Sequence, residues 1–137
     1  MKLFALILPL ALLAAPVSAA EPIIGDWLTE EKDAVVRIAP CGNELCGRIA
    51  EFRVEPDDGP DQRDVNNPDP DLRGRRLMGL PILTAFREDG RRWRGRIYDP
   101  KSGKDYRSIV ERNGPDRLEV KGCIGPFCQT QEWTRVK

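Results

Sequence analysis

From residue 25 onward the chain almost never repeats apolar residues at helical spacing. Short runs alternate apolar with polar side chains instead, and turn residues break them about every ten positions. This confines the fold to short antiparallel strands, expected over residues 25–29, 34–39, 45–54, 77–86, 92–98, 105–112, 117–123 and 129–136. In the fifth run Trp93, Gly95 and Ile97 alternate with Arg92, Arg94 and Arg96, one dry face against a row of arginines. Eight such strands with mostly short links predict an all-β domain, an up-and-down barrel or a sandwich. Position favours the barrel, because closing an up-and-down order makes the first and last strands neighbours. Trp27 and Arg135 would then meet, guanidinium over indole, a contact worth ~0.5–2 kcal/mol.

Gly25-Asp26-Trp27 near the start and Trp133-Thr134-Arg135 near the end resemble the calycin superfamily, the lipocalins and their relatives. The chain as a whole resembles the bacterial family designated domain of unknown function 2147. The matching pieces are GDWLTE, CGNELCGRI, NNPDPDLRGRRLMGLPIL, YDPKSGKDY, LEVKGCIG and EWTRV. The resemblance implies an eight-stranded lipocalin-like barrel and brings neither an established activity nor catalytic residues. Gly25, Trp27 and Arg135 are on this reading a fold signature that plugs the closed end.

The first twenty residues carry one early charge, Lys2, then an apolar run and small residues before position 21. That is the pattern of a cleaved secretory signal over residues 1–20, since the run is shorter than the ~20 residues of a membrane span. The chain of 137 residues then leaves a single expected domain over 21–137, in the periplasm or outside the cell. Removing Lys2 from 22 basic and 22 acidic residues leaves a charge near −1. No long-range pull toward nucleic acid or anionic membrane follows.

Four cysteines in a small exported chain favour disulfides. Cys41 and Cys46, and Cys123 and Cys128, each enclose four residues. As ends of four-residue hairpin loops, the partners would face each other with Cα atoms ~4.5–5.5 Å apart. Of three connectivities, the two local ones are expected. Neither spacing is Cys-x-x-Cys, which counts against zinc or redox chemistry.

Odd-numbered turns lie at the end opposite Trp27, so the long third loop, residues 55–76, should overhang the barrel mouth. It holds carboxylates, amides, prolines and arginines, and fails the EF-hand pattern at Pro68, Asp69 and Arg75. Asn and Asp before proline build a loop of fixed shape, with Arg73, Arg75, Arg76 or the arginine row available to its acids. A short helix over 71–77 is expected. The apolar fourth run suggests that one of its faces is covered by this loop or a partner. Candidate ligand contacts are Tyr98, Tyr106 and Trp93, with Asp64, Asn67, Arg73 and Arg76 from the loop.

The chain has no histidine, which removes Ser-His-Asp and Cys-His machinery. Bridged cysteines leave no thiol. Asp57, Asp64, Asp99 and Asp105 are the acids to nominate for a carboxylate hydrolase, with nothing in their spacing to single them out. The reading is a non-enzymatic exported barrel, needing no cofactor or metal, with a small apolar or amphipathic ligand in its mouth. The rival is a periplasmic module with a filled barrel that docks a protein. A cavity of ~300 Å³ or more separates the two.

Overall fold

Eight antiparallel strands follow one another in the computed structural model, which describes residues 9, 11–16 and 19–137. They are β1 Gly25–Leu28, β2 Ala34–Cys41, β3 Glu44–Phe52, β4 Pro81–Asp89, β5 Arg92–Asp99, β6 Lys104–Arg112, β7 Arg117–Ile124 and β8 Phe127–Arg135. Each pairs with the next, and β8 returns to β1, so the sheet is a closed barrel. Closure removes the unpaired edges that an open sheet would expose. The leader expected over residues 1–20 falls in large part outside the described residues. Among the described residues no helix is long and apolar enough to cross a membrane.

The seam between β1 and β8 sets Trp27 directly opposite Arg135. Trp27 is fully buried, and the Arg135 guanidinium lies 5.0 Å from its ring centroid, with that of Arg112 at 5.8 Å. Four successive carbonyls of the segment leading into β1 cross this end of the barrel. Trp93 Nε1 donates to Glu21 O, Arg112 Nη1 to Pro22 O, Trp27 Nε1 to Ile23 O and Arg135 Nη2 to Ile24 O, at 2.8–3.0 Å. A Cβ on Gly25 would lie 2.6 Å from the Arg135 guanidinium, and φ there is +145°, so glycine is required on both counts. Above this floor the interior is filled by Phe86, Leu83, Leu118, Val110 and Val120.

Both cystines form locally. Their hairpin loops are shorter than the cysteine spacing suggests: Cys41 pairs with Glu44 and Ile124 with Phe127, leaving two-residue turns. Cys123 and Cys128 are therefore directly opposite, with Cα atoms 4.0 Å apart. Cys46 instead faces Ala39, so the first bridge runs diagonally over 5.6 Å.

β4 begins at Pro81 and not at residue 77. Its double-sided apolarity has a local cause. The β3–β4 register slips between Gly47 and Arg48, so two β4 residues are accommodated where β3 supplies one. Ile82 and Leu83 are consequently both buried, Leu83 opposite Gly47 and Ile82 on the interior cavity described below. No outer cover has to be invoked. The row Arg92, Arg94 and Arg96 pairs with Glu111, Asp89 and Asp105 on neighbouring strands, not with the long loop.

Removing the indole beneath the two guanidinium groups leaves a large hole at the seam. Trp27→Ala is expected to lower stability in urea unfolding by about 3–5 kcal/mol; a loss below about 1 kcal/mol would mean the closed end does not depend on this ring.

Candidate functional site

The filled interior stops short of the far end. There a cavity of about 530 Å³ opens between the odd-numbered turns. Its lower wall is apolar, built from Val36, Ile49, Phe52, Ile82, Ile97 and Trp133. Its rim is polar. Glu31 and Asp33 come from the β1–β2 turn, Arg63 and Asn66 from the loop of residues 53–80, and Lys101 from the β5–β6 turn.

Lys101 reaches across the mouth to Glu31 and to Asp33, the latter at 2.9 Å. The Glu31 carboxylate beside it holds its ammonium well above the usual lysine range, with Asp33 adding to the effect. Burial pushes the Asp33 carboxyl up, but hydrogen bonds from Thr29 and Lys101 outweigh this and leave it below the usual range. β1–β2 and β5–β6 are opposite in the strand order, so this ion pair spans the opening.

The long loop is a folded object. Asp64 is fully buried and accepts from Tyr98 Oη at 2.6 Å, Asn67 Nδ2 at 2.9 Å and Arg75 Nη2 at 3.1 Å. Its backbone is tied as well, Asp64 N to Arg75 O and Asn67 N to Asp64 O. Asn67 Oδ1 accepts from Asp69 N, and Asp69 caps a single 3-10 turn at Pro70–Leu72. That turn replaces the helix expected over 71–77, because Pro70 can start a helical turn while Gly74 and the tethered arginines stop it. Arg73 Nε donates to Asn67 O and Arg76 Nη2 to Asp61. Asn66 Nδ2 docks the loop on the β5–β6 turn through Pro100 O and Lys101 O, both at 3.1 Å.

Of the residues nominated from sequence, Tyr98 borders the cavity and also braces the loop. Asp64, Asn67, Arg73 and Arg76 are bound to other parts of the same loop or to Tyr98, as struts. Tyr106 lies at the rim in a shallow hollow beside Cys123 and Gly125, outside the cavity wall. Trp93 sits at the opposite, closed end, holding Glu21. Its place at the start of an odd-numbered strand already assigns it there; the dry face alone does not. Lys101, Glu31, Asn66 and Trp133 are among the cavity residues that sequence reasoning missed. A lysine in a Pro-Lys-Ser-Gly turn carries no local mark of a partner some seventy positions away. Among the described residues no group of three or more acids or cysteines is arranged to hold a metal ion.

A closed eight-stranded barrel, plugged at one end and hollow beneath a loop at the other, is a lipocalin-like fold. The chain belongs to the family described as uncharacterized protein conserved in bacteria (DUF2147), whose profile matches residues 25–135. Among solved structures it is similar to protein HP1028 of Helicobacter pylori, described as belonging to the lipocalin family. The two share 22% identity over 85% of this chain and 84% of that one, with a TM-score of 0.73. Nothing among curated protein sequences matches the chain.

Two outcomes test the loop. Burial, with the Asp64 carboxylate as acceptor, pushes the Tyr98 phenol up to about 12, above the ~10 of an unfolded tyrosine. The protonated form is thus the one favoured by folding. Its contribution is complete below about pH 10 and lost as pH rises toward about 12. Tyrosinate absorbance should show a phenol ionising near the upper value, and Tyr98→Phe should abolish that step; its persistence would assign it elsewhere. A Cβ on Gly103 would fall 1.9 Å from Asn66 O, at φ +71°. Gly103→Ala is expected to cost about 1–3 kcal/mol and expose residues 53–80 to protease. Gly90→Ala is the control, with φ +64° and nothing within 4 Å of the added Cβ. Equal protease resistance in both variants would refute the docking.

Proposed function

We propose that this is an exported, non-catalytic barrel that carries one small apolar or amphipathic molecule in its mouth. The observation that carries the reading is the cavity: about 530 Å³, with an apolar wall leading up to a charged rim. Pockets for small ligands begin near ~300 Å³ and combine an apolar lining with a few placed polar groups. An apolar body would lie against Ile49, Ile97 and Trp133, and a polar end would face Lys101, Arg63 and the rim acids. Eight strands give an interior of the size that holds one small ligand.

Export is supported by the leader-like residues 1–20 and by two cystines, which persist in oxidising compartments. The absence of catalysis is supported by the surroundings of three of the acids. A general acid in a carboxylate hydrolase has a raised pKa, whereas Asp33 at the rim is held low. Asp64 is enclosed in the loop and Asp105 is occupied by Arg96. Protein docking through the arginine row has less support, since each of the three guanidinium groups already has a carboxylate partner.

Native mass spectrometry of protein purified gently from its own compartment should reveal a retained small molecule. Because Trp133 lines the cavity, a brominated fatty acid should quench its emission on binding. Ile97→Trp, which fills the cavity from the β5 side, should weaken that binding by about tenfold or more while the barrel stays folded. Unchanged probe affinity in this variant, or no affinity in the parent, would end the ligand reading.

A further inference from the structure

The β7–β8 hairpin ends at the mouth in a stiff tip. Ile124 pairs with Phe127 across Gly125 and Pro126, and the Cys123–Cys128 bridge sits one residue pair behind. Arg107 donates a hydrogen bond to Gly125 O and fixes the turn to β6. On this tip Ile124 is 69% and Phe127 80% exposed. Two large apolar side chains held in water on a braced turn gain nothing for the fold. Phe127 stands on the alternation of β8 that includes Gln131 and Trp133, and Ile124 is paired opposite it from β7, both beyond the residues that line the cavity. Val54, 61% exposed, borders the same cavity.

The surroundings of the tip are basic. The hollow beside Ile124 and Gly125 is bordered by Arg96, Lys104 and Arg107, and its acid, Asp105, is taken by Arg96. Lys104 and Arg107 form no ion pair among the described residues. Phenylalanine and isoleucine together offer a few hundred Å² at most, well below the ~800 Å² per partner of a stable protein interface. A bilayer makes no such demand. Apolar side chains that reach the acyl boundary, with cations at phosphate level, give reversible attachment.

We propose that the β7–β8 tip is a membrane-docking element. Ile124 and Phe127 enter the acyl boundary of an anionic bilayer, Lys104 and Arg107 meet its phosphates, and the barrel mouth opens against the lipid surface. The near-zero net charge supplies no long-range pull, so attachment rests on this patch and is weakened by salt. Attachment goes beyond the ligand reading and does not depend on it; a barrel with an empty cavity would still dock.

The test is flotation of the disulfide-intact protein with vesicles of phosphatidylethanolamine and phosphatidylglycerol, beside vesicles of phosphatidylcholine alone. The parent should float with the anionic vesicles, less with phosphatidylcholine, and less in added salt. The double variant Ile124→Ser, Phe127→Ser should lose binding by about tenfold or more. Both side chains are exposed, so an unchanged unfolding transition and unchanged fatty-acid quenching of Trp133 should accompany that loss. Lys104→Glu should weaken binding to the anionic vesicles selectively. A parent that ignores vesicles, or a double variant that binds them equally well, overturns the proposal. So does a concentration-dependent dimer in sedimentation that the double variant abolishes without affecting vesicle binding, because a second copy would then cover the tip.

Discussion

The seam between β1 and β8 is the interaction on which everything else stands. A sheet of eight strands has two edges until its ends meet, and here they meet over a short first strand. Four side chains from β1, β5, β6 and β8 compensate by gripping four consecutive carbonyls of the preceding segment. Those carbonyls lie across the barrel end and would otherwise lack partners. The indole of Trp27 is at once a donor to this segment and the surface on which two guanidinium groups rest.

With one end sealed by backbone, space is left at the other. Large side chains fill the barrel near the floor, and the cavity begins where Trp133, Ile97 and Ile49 no longer meet across the axis. The loop of residues 53–80 is kept over this space by its own chemistry. A buried carboxylate needs several donors to be tolerated, and Asp64 finds them in Tyr98, Asn67 and Arg75. The same demand that stabilises Asp64 therefore ties the loop to β5. Lys101 adds a second, solvent-accessible tie from turn to turn. The two ties differ in kind: one is dry and structural, the other wet and salt-sensitive.

Several features were legible in the residues because they depend on local order or on chain position. Alternation marked eight strands, the two cysteine pairs marked tight hairpins, and the parity of the turns put the long loop at the mouth. The placement of Trp27 beside Arg135 needed only the assumption of closure. Other features were hidden for a physical reason. A bulge depends on what the facing strand offers, so the slip at Gly47 that buries both Ile82 and Leu83 leaves no mark in the β4 residues alone. Asp64 reads like any other loop acid until the fold brings Tyr98 to it. Lys101 reads like a solvated turn lysine until the β1–β2 turn arrives opposite.

The sequence by itself determined the strand count and the turn ends, and it favoured the local cystine pairing. Periodicity, proline, glycine and cysteine act over a few residues, and their geometry does not wait for the rest of the chain. Tertiary structure alone decided how much of the barrel is hollow, which acids are struts and which face the opening. Those outcomes depend on how side chains from strands far apart in sequence share one interior, and no segment carries that information alone.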